Sequence, residues 1–296
     1  MKTKRFNAHY IQKKMEKLCN INKKQGNEQS GMKLAFNKGK NKKLLNTKGE
    51  RSMGYKLRDM SWSEFAERSA TAKTMILPSG ACEVYGPHCP LGADILVAKK
   101  MSEMLAERVN GIVGPCLEVG QSKSLASFPG TIAISADTLK AVYREIIDEC
   151  VRLGFKSFFI VNNHLHNTQP LNEVLEDARL KYGIKYAQVG VWQYLPTVSD
   201  KTGMWETPAP HAHASEAQTS VLLYLYPELV DMSKAPNTPM MFDDKWPAIM
   251  KSVPYCDMTD SGTLGNAQVA TAEKGKKAVE LMLDEMEDCV RNYLEK

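Results

Sequence analysis

Residues 154–164, Gly154-Phe-Lys-Ser-Phe-Phe-Ile-Val-Asn-Asn-His164, decide the fold. Ser157 to Val161 is an apolar run rich in Phe, Ile and Val, as a strand buried on both faces requires. Upstream, Ala136 to Leu153 has the period of a helix and is stopped by Gly154. Downstream, Leu171 to Tyr182 has that period again and is closed by Gly183. A buried strand between two such helices is one step of a βαβ chain, and βαβ steps build a parallel sheet.

The same alternation continues outward. Ser61 to Ala72 reads as a short helix with a Ser N-cap and Glu64 three residues on, the pattern of a capping box. Thr74 to Leu77 is a strand ended by Pro78-Ser79-Gly80. Asp94 to Arg108 reads as an amphipathic helix, Gly111 to Cys116 as a strand, and Tyr186 to Val191 as another, with Trp192 ending it in a core-packing role. Ser215 to Tyr226 is a helix stopped by Pro227, and Ala272 to Leu294 is a long terminal helix. The expected architecture is α/β, a three-layer α/β/α arrangement with a mostly parallel sheet and helices on both faces. Residues 196–214 and 234–271 are Pro- and Gly-rich loops long enough to form a site.

Composition limits the function classes. The chain has 296 residues, 43% hydrophobic and 25% charged, enough to bury a core without staples. No run of ~18 apolar residues is present, and no apolar segment follows the basic start, so neither a membrane span nor a secretory signal is expected. Seven cysteines without C-x-x-C spacing point to reduced thiols in a cytoplasmic protein. The net charge of +5 is unevenly spread. Residues 1–52 hold 15 Lys and Arg against 3 Asp and Glu, and the remainder holds 24 against 31. A leader rich in Lys, Asn, Gln and Gly cannot bury enough surface to offset its chain entropy, so residues 1–52 are expected to be a disordered extension. With few aromatics and no motif, a nucleic-acid-binding role for it is set aside. Lys48-Gly49-Glu50 can be encoded by a purine-rich ribosome-binding sequence, which makes Met53 the expected true start of a domain spanning 53–296.

In parallel α/β sheets ligands bind beyond the carboxyl ends of the strands. Three segments fall there. The first is Leu77-Pro-Ser-Gly-Ala-Cys-Glu83-Val-Tyr85-Gly-Pro-His88-Cys-Pro-Leu-Gly-Ala-Asp94, the second Asn162-Asn-His164-Leu-His166-Asn167, the third His211-Ala-His213-Ala-Ser-Glu216. They contain five of the six histidines. Carboxylates and imidazoles converging at strand ends suit a divalent metal such as Zn²⁺ or Mn²⁺. Taken singly, a His-x-His is more often structural and an Asp at a helix start is usually a cap. Three such segments at successive strand ends change that balance. No G-x-S-x-G elbow, G-x-G-x-x-G or Walker sequence supports serine, dinucleotide or P-loop chemistry, and only His88 stands beside Cys82 and Cys89 to activate a thiol.

These segments resemble the creatininase (creatinine amidohydrolase) family. Its signature runs approximately L-P-x-G-x-x-E-x-H-G-P-H-L-P-L-x-x-D, then F-P-G-T, N-G-H-x-x-N and H-A-G-x-x-E-T-S. The matching text is LPSGACEVYGPHCPLGAD, FPGT (Phe128–Thr131), NNHLHN and HASEAQTS, with a closing GTLGNAQVATAEKG (Gly262–Gly275). The resemblance spans roughly residues 60–295 and has no counterpart for the leader. It implies that Glu83, Asp94 and His164 ligate a metal, with Asp94 bridging to a second, and that His213 moves protons. It further implies that Ser122 contacts substrate and that Glu216 orients His213. It implies a homo-oligomer, a hexamer in the family, acting on a small molecule.

Departures from the pattern carry information. Tyr85 stands where the family has its second-metal histidine, His166 where creatininase has its second-metal glutamate, and Leu165 where it has a creatinine-contacting tyrosine. Tyr85 and His88 are therefore candidate substrate contacts, His166 is a candidate ligand, and either one or two ions per subunit fit. The expected activity is a metal-dependent hydrolysis of a small cyclic or carbonyl substrate by activated water, cleaving an amide C–N bond or opening a ring. The alternatives are hydrolytic C–C opening of a cyclic diketone from inositol, and a non-catalytic ligand-binding homologue.

Overall fold

The strands β1 (Thr74–Ser79) and β3 (Ser157–Asn162) are buried at every position, and they lie side by side at the centre of a four-stranded sheet. This is a computed structural model of the chain, and it describes residues 55–238 and 253–296. The leader and Met53 lie outside the described residues, as does the middle of the loop expected at 234–271. The sheet order is β2-β1-β3-β4, with β2 at Ile112–Val113 and β4 at Lys185–Gly190. Every pairing is parallel, and Ile76 registers with Val113 on one side and Phe159 on the other.

Two hydrophobic cores sandwich the sheet, sorted by the two-residue period of its strands. Ile76, Phe159 and Val161 point to one face. They meet Val97, Met101 and Leu105 of α2 (Ala93–Val109), followed by α5 (Val191–Thr202), α6 (Glu216–Leu225) and α8 (Ala272–Cys289). Met75, Leu77, Phe158 and Ile160 point to the other. There they meet Leu139, Tyr143 and Ile147 of α3 (Ala136–Arg152) and Leu171, Val174 and Leu175 of α4 (Thr168–Tyr182). Each such fully buried side chain contributes ~1.5–3 kcal/mol. The result is the expected three-layer α/β/α fold.

The ends of the elements follow local chemistry. Helix α1 (Trp62–Ser69) has the capping box: the Glu64 N–H donates to Ser61 Oγ, and the Ser61 N–H donates to Glu64 Oε2 at 2.6 Å. Helix α4 closes on Gly183 at φ +66°, the left-handed turn that a glycine adopts without strain.

Helix α5 differs from expectation. The strand before it ends at Gly190, so Trp192 lies in the first turn of a helix and not at the end of a strand. Pro196 lies inside that helix. A proline there lacks one N–H donor, but Val191, Trp192, Leu195 and Val198 all bury on one face, and that packing outweighs the loss. The described part of 234–271 contains a short antiparallel pair, β5 (Asn237–Thr238) with β6 (Gly265–Asn266), and one helical turn, α7 (Tyr255–Met258).

Candidate metal centre

Glu83, Asp94 and His164 come from three elements that meet at the carboxyl end of the sheet. Asp94 lies in the first turn of α2, and His164 follows β3. Glu83 sits in the loop after β1, where its N–H donates to Leu91 O at 2.9 Å. Gly80 permits the approach: a Cβ there would lie 2.8 Å from the main chain of Asp94 and Ile95. Two asparagines fix the other side. Asn162 clasps His164, donating from Nδ2 to its carbonyl and accepting its N–H at Oδ1. Asn167 donates to Ser79 Oγ and Gly80 O and accepts the Gln121 N–H, joining three segments.

One ligand atom from each of Glu83, Asp94 and His164 lies within 4.8 Å of the others. His164 Nδ1 stands 3.1 Å from Asp94 Oδ2 and 3.3 Å from Glu83 Oε2. Its Nε2–H donates to the Gln121 carbonyl at 3.0 Å. A backbone carbonyl on the far nitrogen fixes the tautomer and leaves the near nitrogen to ligate, the usual arrangement behind a metal-bound histidine. Ser122 Oγ is buried 3.4 Å from the same Nε2.

The electrostatics call for a cation. Glu83 is 2% exposed and Asp94 1%. Burial and the adjacent Glu83 charge push the Asp94 carboxyl up, against its bonds to His164 and Trp192. Burial acts on Glu83 in the same sense, but its close contact with His164 and the nearby His164 and His213 win and hold it below the usual range. Burial opposes charge on His164, yet the two carboxylates raise it to about 10. Glu83 Oε2 is buried without a hydrogen bond. Two buried carboxylates with one orphaned oxygen and one imidazole fit a divalent ion.

Around the trio, Trp192 Nε1–H donates to Asp94 Oδ1 at 2.7 Å. Tyr85 is fully buried, and its hydroxyl donates to Gln218 Oε1 at 2.8 Å. Burial, then the charges of Asp94 and Glu83, push its phenol well up. The His213 ring lies 4.6 Å from Tyr85, and its Nε2 bonds the Val84 carbonyl at 2.8 Å.

The remaining expected site residues sit differently. His166 is exposed, 5.5 Å from the His164 ring, with Nδ1 on Gln121 Oε1. His88 is buried and bonded to Thr219 Oγ1 at 2.9 Å, with burial lowering its pKa to about 4, so it ties the Gly86–Leu91 loop to α6 as a neutral ring. Glu216 does not orient His213 directly. Fully buried, it accepts from the Glu206 and Thr207 N–H groups, Thr207 Oγ1 and Lys274 Nζ, and so anchors the loop leading to His213. Replacing it with Gln is expected to leave metal content unchanged while turnover falls ~10-fold through a mobile His213. Elemental analysis beside kcat checks this, and a loss of metal would contradict the anchoring role.

Four further residues shape the site. Gln121 and Gln218 lie inside or beside the motifs but carry no chemistry-bearing signal of their own. Trp192, expected at a strand end, lies in the first turn of α5 instead. Tyr255 gave no signal; its ring packs edge-on to His213 and Phe128, and its buried hydroxyl has no partner.

A family model described as creatinine amidohydrolase (Creatininase) matches residues 58–290. The chain belongs to the creatininase family. A creatinine amidohydrolase from Pseudomonas putida is 29% identical over 255 residues, 79% of this chain and 95% of that protein. A mycofactocin precursor peptide peptidase from Mycobacterium ulcerans is 26% identical over 245 residues, 79% of this chain and 90% of its own. A 3-dehydro-scyllo-inosose hydrolase from Thermotoga maritima is 26% identical over 275 residues, 83% and 86% respectively. A solved creatininase, a glutamate-to-glutamine mutant of Zn–Zn type, matches with a TM-score of 0.72 at 25% identity, covering 82% of this chain and 99% of that one. Creatininase-family relatives are thus hydrolases acting on three different substrates, so the family supports hydrolysis and leaves the substrate open. No helix among the described residues is long and apolar enough to cross a membrane.

Proposed function

We propose that this chain is a metal-dependent hydrolase of a small carbonyl substrate, with Glu83, Asp94 and His164 holding zinc or manganese. The observation that carries this is the buried pair Glu83 and Asp94 converging on His164 Nδ1, with Glu83 Oε2 left without a hydrogen bond. A bound divalent ion supplies Lewis-acid activation of water and of a substrate carbonyl. The chain's own groups then do the rest. With Nε2–H donating to Val84 O, His213 has Nδ1 left to move a proton. It accepts a proton there and returns it to the leaving group, a role typically worth ~10²–10⁴-fold. Ser122 orients the substrate beside His164. Tyr255 Oη, buried and unpaired, offers a donor to a substrate oxygen.

The reaction proposed first is amide C–N cleavage or ring opening. Leu165, 58% exposed, stands where the family resemblance puts a creatinine-contacting tyrosine, which argues for a substrate other than creatinine. A second chemistry, C–C cleavage of a cyclic diketone, is favoured by the rebuilt half of the centre around Tyr85, since a diketone can itself offer two oxygens to one ion. We place the enzyme in the cytoplasm as a homo-oligomer, the hexamer implied by resemblance, without nucleic-acid or membrane partners.

The test is elemental analysis of the purified protein, then a turnover screen over cyclic amides, formamides, short peptides and cyclic diketones, each with and without chelator. Bound zinc or manganese together with chelator-sensitive turnover supports the proposal. Protein that takes up neither metal, or turnover that survives complete metal removal, overturns it.

A further inference from the structure

Neutral donors, the Trp192 indole and the Tyr85 hydroxyl, are hydrogen-bonded beside Asp94. Asp94 uses its two oxygens for different partners: Oδ2 faces His164 Nδ1, and Oδ1 accepts the indole N–H of Trp192 at 2.7 Å. An N–H directed at Oδ1 puts a hydrogen where a bridged cation would approach. Tyr85 fills the adjacent space. It is 1% exposed, its ring lies 6.2 Å from Trp192 and 4.6 Å from His213, and its hydroxyl proton goes to Gln218 Oε1. That oxygen also accepts the Ala214 N–H at 2.7 Å, so both of its acceptor positions are used. Gln218 is held in turn by its place in the first turns of α6.

The imidazoles nearest the centre each spend one nitrogen on another partner, and neither joins the metal-holding cluster. His166 Nδ1 bonds the Gln121 side chain, and His213 Nε2 bonds a main-chain carbonyl. Among the described residues, Glu83, Asp94 and His164 form the one cluster of three or more His, Cys, Asp or Glu side chains with metal-holding geometry.

We infer that the centre is built for a single divalent ion, with the Trp192 indole and the Tyr85–Gln218 pair occupying the side on which a second ion would be held. This rests on the metal dependence proposed above. It makes Trp192 a positioning residue: by holding Oδ1 it turns Oδ2 toward His164 and the ion. Loss of such an outer hydrogen bond typically weakens metal affinity ~10–100-fold. Tyr85 then acts as a wall and not as a ligand.

The test uses the full chain, stripped of metal, reloaded with excess zinc or, separately, manganese, and freed of unbound ion. Metal per chain is counted by elemental analysis and by native mass spectrometry. One ion per chain is expected. Two ions per chain overturn the inference while leaving metal dependence intact. No ion with either metal removes the metal-dependence proposal and this inference with it. Two variants separate the roles. Tyr85→Phe keeps the ring and is expected to retain one ion with affinity within ~3-fold; loss of the ion on this change would make Tyr85 a ligand and refute the wall. Trp192→Phe is expected to keep one ion but to bind zinc ~10–100-fold more weakly in competition with a chelator. Unchanged affinity would refute its positioning role. Thermal melts of both metal-free variants show whether each is folded, and Tyr85→Phe carries the test if Trp192→Phe is not.

Discussion

His164→Ala loses its metal and its turnover together, the largest effect expected of any single change in this chain. The imidazole supplies one of three ligand atoms, and it is also what balances two buried carboxylates 3.1 and 3.3 Å from its Nδ1. Without it, Glu83 and Asp94 face each other at 2% and 1% exposure with no cation between them. Breaking a buried ion pair from one side typically costs ~3–5 kcal/mol, so the metal-free variant is expected to be less stable by that amount. Proton uptake by Asp94 relieves part of it, because burial and the Glu83 charge already push that carboxyl up. Loss of a Lewis acid worth several kcal/mol corresponds to a fall in turnover of ~10³-fold or more. Elemental analysis, turnover and a denaturant melt on one preparation check all three parts. Undiminished turnover in a metal-free His164→Ala protein would remove the site from the mechanism.

Gly275→Ala produces the second large effect, on stability. A Cβ at 275 would lie 1.8 Å from the Ser220 carbonyl oxygen, 2.4 Å from its carbon and 2.9 Å from the Val221 nitrogen, all main-chain atoms of α6. No rotamer change relieves such a contact, so α8 and α6 must separate. Their junction also carries the Thr271 N–H to Ser220 Oγ bond and the Lys274–Glu216 ion pair. Overpacking of this kind costs ~1–3 kcal/mol and more where only backbone can move, so a loss of ~3 kcal/mol is expected. In a body of this size that lowers Tm by roughly 10 °C, measured with metal occupancy held constant. Because α6 begins at Glu216 and carries Gln218, the damage should reach the loop around His213 and lower kcat as well. A variant melting within ~2 °C of the parent would mean that the close α6–α8 packing is not what holds this face.

Much of the fold is legible in the chain because burial leaves a local signature. The run at 157–161 is apolar throughout since both faces of the central strand are covered, and Gly154 and Gly183 mark where the flanking helices stop. Helix α5 was not legible. Pro196 is a local stop signal, and the burial of Val191, Leu195 and Val198 that overrides it depends on helices distant in sequence. The centre divides along the same line. Glu83, Asp94 and His164 announce themselves by residue type and by position at strand ends. Nothing local distinguishes Trp192 as a hydrogen-bond partner of Asp94, 98 positions away. Nor does anything local tell that Glu216 would face Lys274 and not His213, or that His88 would turn into α6.

The chain therefore carries in its own text the order of strands and helices, α5 excepted, and the residue types standing at the strand ends, because period and side-chain chemistry are written position by position. Packing alone sets which of those residues share a volume, which oxygen of Asp94 faces His164, and which side of the centre is closed by Tyr85, Gln218 and Trp192. Those outcomes depend on distances between segments far apart in the chain, and such distances exist only once the two cores have packed against the sheet.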